Sequence, residues 1–181
     1  MNIVSFPGLA KLEAGFDEPL EMLDACHLRV KKFSSLLGKV DDHVQQRGYD
    51  DEARQAVQRV MQYFDHAGPV HHADEENALF PALLQHPELP TAVRRVILTL
   101  QSEHRTLENL WQSIRAKLVL ANMTGTWQAD RKKIDSFAQQ YAQHIRCEEQ
   151  EVLPYAQQLL DPAVLAAVGL DMEKRRGVAV Q

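Results

Sequence analysis

A motif that occurs twice constrains this chain more than any other feature. His71-x3-Glu75-Glu76, followed by Leu79-Phe80-Pro81, recurs 73 residues later as His144-x3-Glu148-Glu149, followed by Val152-Leu153-Pro154. His27 and His104 stand 77 residues apart, and each precedes its copy of the motif by a similar distance. A chain built this way reads as two related halves, so it predicts a pseudo-two-fold structure with matching groups from each half.

Four segments space apolar residues by three and four, the pattern of helices that each bury one stripe. The first stripe is Leu20, Leu23, His27, Val30 and Leu37; the second is Val57, Val60, Phe64, Ala67, His71, Glu75 and Ala78. The third runs Val93, Ile97, Leu100, His104, Leu107, Trp111, Ile114 and Leu118. The fourth runs Ile134, Phe137, Tyr141, His144, Glu148, Val152, Tyr155 and Leu159. Breaks at Arg47 and Gly48, at His86 through Pro90, and at Thr124 through Thr126 are short, which makes neighbouring helices antiparallel. The expected fold is all-α, an antiparallel up-down four-helix bundle with helices at about 17–45, 51–86, 91–123 and 127–160. Residues 1–16 form an N-terminal extension, 17–160 the bundle and 161–181 a C-terminal extension with one short helix at Pro162 to Val168.

Only 8 Gly and 8 Pro among 181 residues suit long helices. A formal charge of -5 and the lack of a long basic run exclude a nucleic-acid partner. The cluster Lys174, Arg175, Arg176 reads as a solvated tail. The stretch Asn2 to Phe16 lacks the basic start and apolar run of a signal peptide, and no segment has the apolar length of a membrane span. Two cysteines, Cys26 and Cys147, make no disulfide framework, and a soluble, cytoplasmic protein is expected.

On a helix, residues four apart share a face, so His71 with Glu75 and His144 with Glu148 each present an imidazole beside a carboxylate. With His27 and His104, the inward stripes carry four imidazoles and two carboxylates and no Lys or Arg to neutralise them. Burying such a set without a cation is costly. Imidazole and carboxylate without thiolate suit iron, manganese or zinc. If both glutamates bridge, the protein fills about eight of twelve positions around two octahedral ions, and a bridging oxide or hydroxide brings this to about ten. About one position per ion is left for a small ligand.

The series His27, His71-x3-Glu75, His104, His144-x3-Glu148, with Glu75-Glu76-x2-Leu79-Phe80-Pro81, resembles the hemerythrin HHE cation-binding family over roughly Asp17 to Leu160. That resemblance implies a four-helix bundle with a carboxylate-bridged di-iron centre. Its chemistry would involve oxygen, nitric oxide, peroxide or iron itself. The oxygen-carrying members have a histidine pair four apart on the third helix, where this chain has His104 and Glu108. They also place an aspartate five residues after the last histidine, where this chain has Glu149, with Glu148 at the four-residue spacing. These departures point away from reversible oxygen carriage. The ligand order is closer to bacterial proteins implicated in repair of iron centres, whose cysteine-bearing N-terminal domain has no counterpart in these residues.

Glu108, one turn beyond His104, is either a seventh ligand, an acceptor that fixes an imidazole, or a solvated residue. Glu76, Glu103 and Glu149 adjoin ligands and so point some 100° away, toward solvent or a helix seam. His72 is set apart from the ligands because its counterpart in the second half is Ile145. His43, His66 and His86 fall outside the repeat. Trp111 and Tyr141 lie on inward stripes, where they pack the core or wall the metal pocket. Cys26 and Cys147 read as small buried hydrophobes next to ligands, close enough to feel an oxidant. Pro81 and Pro154, each six residues past a glutamate, predict a kink or stop in both halves.

The leading expectation is a non-haem di-iron protein that binds or reacts with oxygen, nitric oxide or peroxide. An iron-donating or redox-sensing protein without turnover is the alternative, and a zinc- or manganese-loaded structural bundle is a third. An apolar face on the outer sides of the first and third helices would favour a homodimer.

Overall fold

The computed structural model describes residues 15–177, so the expected N-terminal extension lies outside the described residues apart from Gly15 and Phe16. Every regular element among the described residues is a helix. Helix α1 is Pro19–Arg47, α3 is Thr91–Thr124, α4 is Arg131–Glu151, α5 is Leu153–Leu159 and α6 is Pro162–Arg175. Helix α2 spans 51–85 as three α-helical stretches, Asp51–Gln62, Gly68–Asp74 and Phe80–Gln85, joined by π-helical turns at Tyr63–Ala67 and Glu75–Leu79.

Local chemistry sets the ends. Pro19 stands in the first turn of α1, where its missing N–H costs nothing. Gly48, at φ 81, closes α1 by donating to the Val44 carbonyl. Asp50 then caps α2 by accepting from the Ala53 N–H. Gly125, at φ 71, ends α3 in the left-handed conformation that suits glycine. Asp130 caps α4 through the N–H groups of Lys132 and Lys133. The fourth helix therefore starts at Arg131 rather than 127, and Trp127 precedes it with Nε1 donating to Asp41 at 2.7 Å.

The two π turns each lie just ahead of a proline, Pro69 or Pro81. A helical proline removes one N–H and crowds the carbonyl four residues back. The extra residue lets the chain pass this point, with Gly68 donating to Tyr63 and Phe80 to Glu75, each five residues back. The insertion also turns the buried stripe, so Ala67, expected inside, is exposed and Gly68 is buried in its place. The second half solves the same problem differently. There Val152 donates to Glu148 at the ordinary four-residue spacing, and the helix breaks at Val152, φ -120 and ψ -55, ahead of Pro154. Past that break Ala156 and Leu160 are buried, while Tyr155 and Leu159, expected on the stripe, are only partly so.

The core has two apolar clusters. One contains Val30, Leu37, Val57, Phe64, Leu107, Ile114 and Phe137; the other contains Leu23, Leu79, Phe80, Leu83, Ile97, Leu100, Val152 and Met172. Along α1 the chain passes from the second cluster to the first, along α2 back, along α3 forward again and along α4 back. In each of the four helices the buried histidine or glutamate falls between the two clusters, which gives the bundle a polar middle layer.

Helix α6 belongs to this structure. The helix expected at Pro162 to Val168 continues to Arg175, packs on α1 and α2, and adds Val168 and Met172 to the second cluster. Gly169 is needed there, since a Cβ at that position would lie 1.9 Å from the Phe16 carbonyl oxygen. The basic cluster is not a solvated tail. Nη1 of Arg175 and Nη2 of Arg176 hold the fully buried Asp74 carboxylate at 2.7 Å and 2.6 Å. Lys174 alone is largely exposed, bonded to Asp171.

Candidate metal centre

The middle layer brings together all six residues of the repeated pattern. His27 from α1, His71 and Glu75 from α2, His104 from α3, and His144 and Glu148 from α4 are each buried. They form two overlapping tetrads, His27, His71, Glu75, Glu148 and Glu75, His104, His144, Glu148, with the donor atoms of each tetrad within 4.8 Å of one another. His27 and His71, in the first half of the sequence, fall in one tetrad, His104 and His144, in the second half, in the other, and both glutamates are common to the two.

The carboxylate orientations explain the sharing. Oε1 of Glu75 is 3.7 Å from Nε2 of His27 and 3.6 Å from Nε2 of His71, while its Oε2 is 3.4 Å from Nε2 of His104. Oε2 of Glu148 is 3.2 Å from Nε2 of His27, and its Oε1 is 3.0 Å from Nε2 of His144 and 3.9 Å from that of His104. Each carboxylate thus turns one oxygen to each tetrad.

Electrostatics ties the layer together. Burial opposes charge on His27, but Glu148 and Glu75 outweigh it and raise its pKa to about 10. His104 is raised to about 10 against burial by the same two carboxylates, with help from Glu76, and His144 is raised by Glu148. His71 is lowered, chiefly by burial. Burial and Glu148 push Glu75 upward, yet His71, His104 and His27 hold it at about 2. Burial likewise opposes ionisation of Glu148, and His104, His144 and His27 hold it well below the usual carboxylate range.

These residues fit a metal centre. Nε2 of His27, Oε2 of Glu75 and both oxygens of Glu148 are buried without a hydrogen-bond partner, although they face one another at close range. Donor atoms that converge without bonding are arranged for an ion between them. Nε2 of His104 and Nε2 of His144 are 3.0 Å apart. Two nitrogens bound at right angles to one ion at about 2.1 Å would be separated by about 3.0 Å.

Sequence reasoning passed over the outer ring of this layer. Glu76 accepts from Nδ1 of His104 and Glu103 from Nδ1 of His144, both at 2.8 Å. Oε1 of Glu149 is 3.3 Å from Nδ1 of His27 and also takes Lys31 Nζ at 2.8 Å. Each is a neighbour in sequence of a tetrad residue, so the 100° step sends it into the seam with the next helix, where that helix's histidine presents its outer nitrogen. The seam was expected and the imidazole in it was not. By register, the fourth such position is Cys26, which precedes His27 as Glu103 precedes His104, and Nδ1 of His71, like that of His27, is buried without a hydrogen-bond partner.

Glu108 is exposed at a groove between α2 and α3 and is part of neither tetrad. Trp111 and Tyr141 are buried and line that groove, with Trp111 Nε1 donating to Asp65 at 3.0 Å. His72 also lines it and stands outside both tetrads. His43 pairs with Asp50, His66 is exposed, and Nδ1 of His86 accepts from the Glu88 N–H at the end of α2. Cys26 is buried, Cys147 is partly buried, and both are free thiols. No helix among the described residues is long and apolar enough to cross a membrane.

Comparison with known proteins agrees with this geometry. The family model of the hemerythrin HHE cation binding domain matches residues 18–156. A protein of Haemophilus influenzae described as uncharacterized is 31% identical over 166 residues, which cover 91% of this chain and 94% of that protein.

Proposed function

The chain belongs to the hemerythrin HHE cation-binding domain family, and from that premise we propose that it is a non-haem di-iron protein that binds or reacts with oxygen, nitric oxide or peroxide. The alternating passage of α1 to α4 between the two apolar clusters supports an up-down antiparallel bundle as its frame. His27 and His71 would hold one iron, His104 and His144 the other, and Glu75 and Glu148 would bridge, with an oxide or hydroxide completing the centre. Two irons so held supply electrons to a small ligand or accept them from it. The observation that carries this reading is the division of each glutamate's two oxygens between the two tetrads.

The chain's own groups account for the rest. The two apolar clusters keep bulk water from the middle layer. Glu76 and Glu103 fix the tautomers of His104 and His144, so that each turns a lone pair inward. The proposed setting is the cytoplasm, where Cys26 and Cys147 stay reduced.

A second reading, an iron-donating protein without turnover, is favoured by one observation. A groove of about 480 Å³ beside α1 is lined by Asp17, Glu18, Glu21, Asp24 and Glu149, and Glu149 lies 3.3 Å from the outer nitrogen of His27. Such a surface would attract a cation on its way to or from the centre.

The test is the visible spectrum of anaerobically reduced, iron-loaded protein as oxygen is added and then pumped away. Oxo-bridged ferric absorption that persists supports oxidase, peroxidase, nitric oxide or iron-handling chemistry, and iron lost rapidly to a chelator favours donation. Absorption that vanishes under vacuum would make this a carrier. Native protein that holds zinc or manganese and takes up no iron would overturn the di-iron reading.

A further inference from the structure

His72 breaks the two-fold repeat at the centre, since the equivalent position in the second half is Ile145, fully buried among apolar side chains. We propose that His72 hydrogen-bonds a small ligand that reaches the cations from the His104 and His144 side, through the groove between α2 and α3. This rests on the two-cation reading above.

Three observations converge on it. The groove encloses about 750 Å³, and its lining includes His72, Glu76, His104 and Tyr141 but neither His27 nor His71. On the other side of the layer α6 packs on α1 and on the stretch of α2 that carries His71 and Glu75. His104 is the one residue of the two tetrads that lines the groove, so the groove reaches the centre on its side.

The His72 ring stacks on His104, with centroids 3.9 Å apart and planes 11° from parallel. Its centroid is 6.2 Å from that of His144 and 6.0 Å from that of Tyr141. Nothing on its own helix requires an imidazole there. Its Nε2 is buried without a hydrogen-bond partner. A buried polar nitrogen left unmatched costs free energy, and at a functional site the missing partner is commonly a ligand. The ring lines the groove while Nε2 is enclosed beside His104, so an entering molecule meets this nitrogen as it nears the centre. The chemistry that fits is a diatomic or small anion able to accept one hydrogen bond.

Azide added to iron-loaded protein is the probe, followed by its charge-transfer absorption, with iron content measured in parallel. His72→Phe keeps the stacked ring and removes the N–H. The expected result is two irons per chain retained and an azide dissociation constant raised about tenfold, the loss of one hydrogen bond to an anion. His72→Gln, which keeps an N–H, stays close to the wild type. Asn77→Trp, placed in the groove lining, slows azide association without moving the dissociation constant. Equal azide affinity in His72→Phe and wild type would overturn the inference, as would loss of iron in that variant, which would make His72 part of the metal-holding set. Wild-type protein that takes up two irons and binds no azide would instead count against the small-ligand reading itself.

Discussion

Oε1 of Glu76 on α2 accepts a hydrogen bond from Nδ1 of His104 on α3 at 2.8 Å, and Glu103 does the same for His144 across the next seam. Outer carboxylates of this kind make the inward nitrogen more basic and hold the ring in place. Replacing Glu76 or Glu103 with Gln should weaken metal affinity by about 10- to 100-fold while leaving the metal-free fold intact. Competition with a chelator of known affinity measures the first, and circular dichroism of the metal-free protein the second. Unchanged affinity in both variants would reduce the ring of carboxylates to surface chemistry.

Asp74 is the one fully buried carboxylate of α2 that faces away from the tetrads, and Arg175 and Arg176 neutralise it from α6. Removing both guanidiniums leaves a buried carboxylate unpaired, which costs about 3–5 kcal/mol. The double variant Arg175→Ala, Arg176→Ala should therefore unfold at clearly lower urea, and partial exposure of the two arginines puts the loss at the lower end of that range. Since Asp74 directly precedes Glu75, the same variant should also bind metal less tightly.

Metal should stabilise the folded chain by mass action. The six buried donors are spread over four helices, so the unfolded chain cannot present them together. At a free metal concentration of 100 times the dissociation constant the gain is about 2.7 kcal/mol. Thermal melts with ferrous iron, manganese and zinc, each against a chelator control, should rise for the ions that fit. A melt that none of them moves would argue against a preformed site.

The helices and the six inward residues were legible because both leave periodic marks, the apolar stripes and a pattern of His and Glu that recurs in the two halves at offsets of 73 and 77 residues. What escaped was what depends on contact between distant segments or on a local change of helical pitch. Glu76, Glu103 and Glu149 were expected at solvent or a helix seam, and their histidine partners went unseen because they sit on other helices. Arg175 and Arg176 looked like a tail because Asp74 is 101 and 102 residues away from them. The π turns shifted Ala67 outward, a shift that stripe reading at constant 3.6 periodicity cannot follow. Pro69 and Pro81 were the available signals, and only the second was read as a distortion.

Shared carboxylates and unshared imidazoles make a last distinction testable. His27 and His71 belong to one tetrad only, whereas Glu75 and Glu148 belong to both. Substituting His71 with Ala removes one donor from one tetrad, so at saturating metal the chain should keep one ion firmly and hold the other weakly. Substituting Glu148 with Ala removes a donor from both tetrads and a negative charge from between two cations. It should lower occupancy at both positions together. Metal content per chain after gel filtration, measured by elemental analysis at matched loading, separates the cases. If Glu148→Ala instead retained one full equivalent, the second carboxylate would serve one ion alone and the bridging arrangement would have to be abandoned.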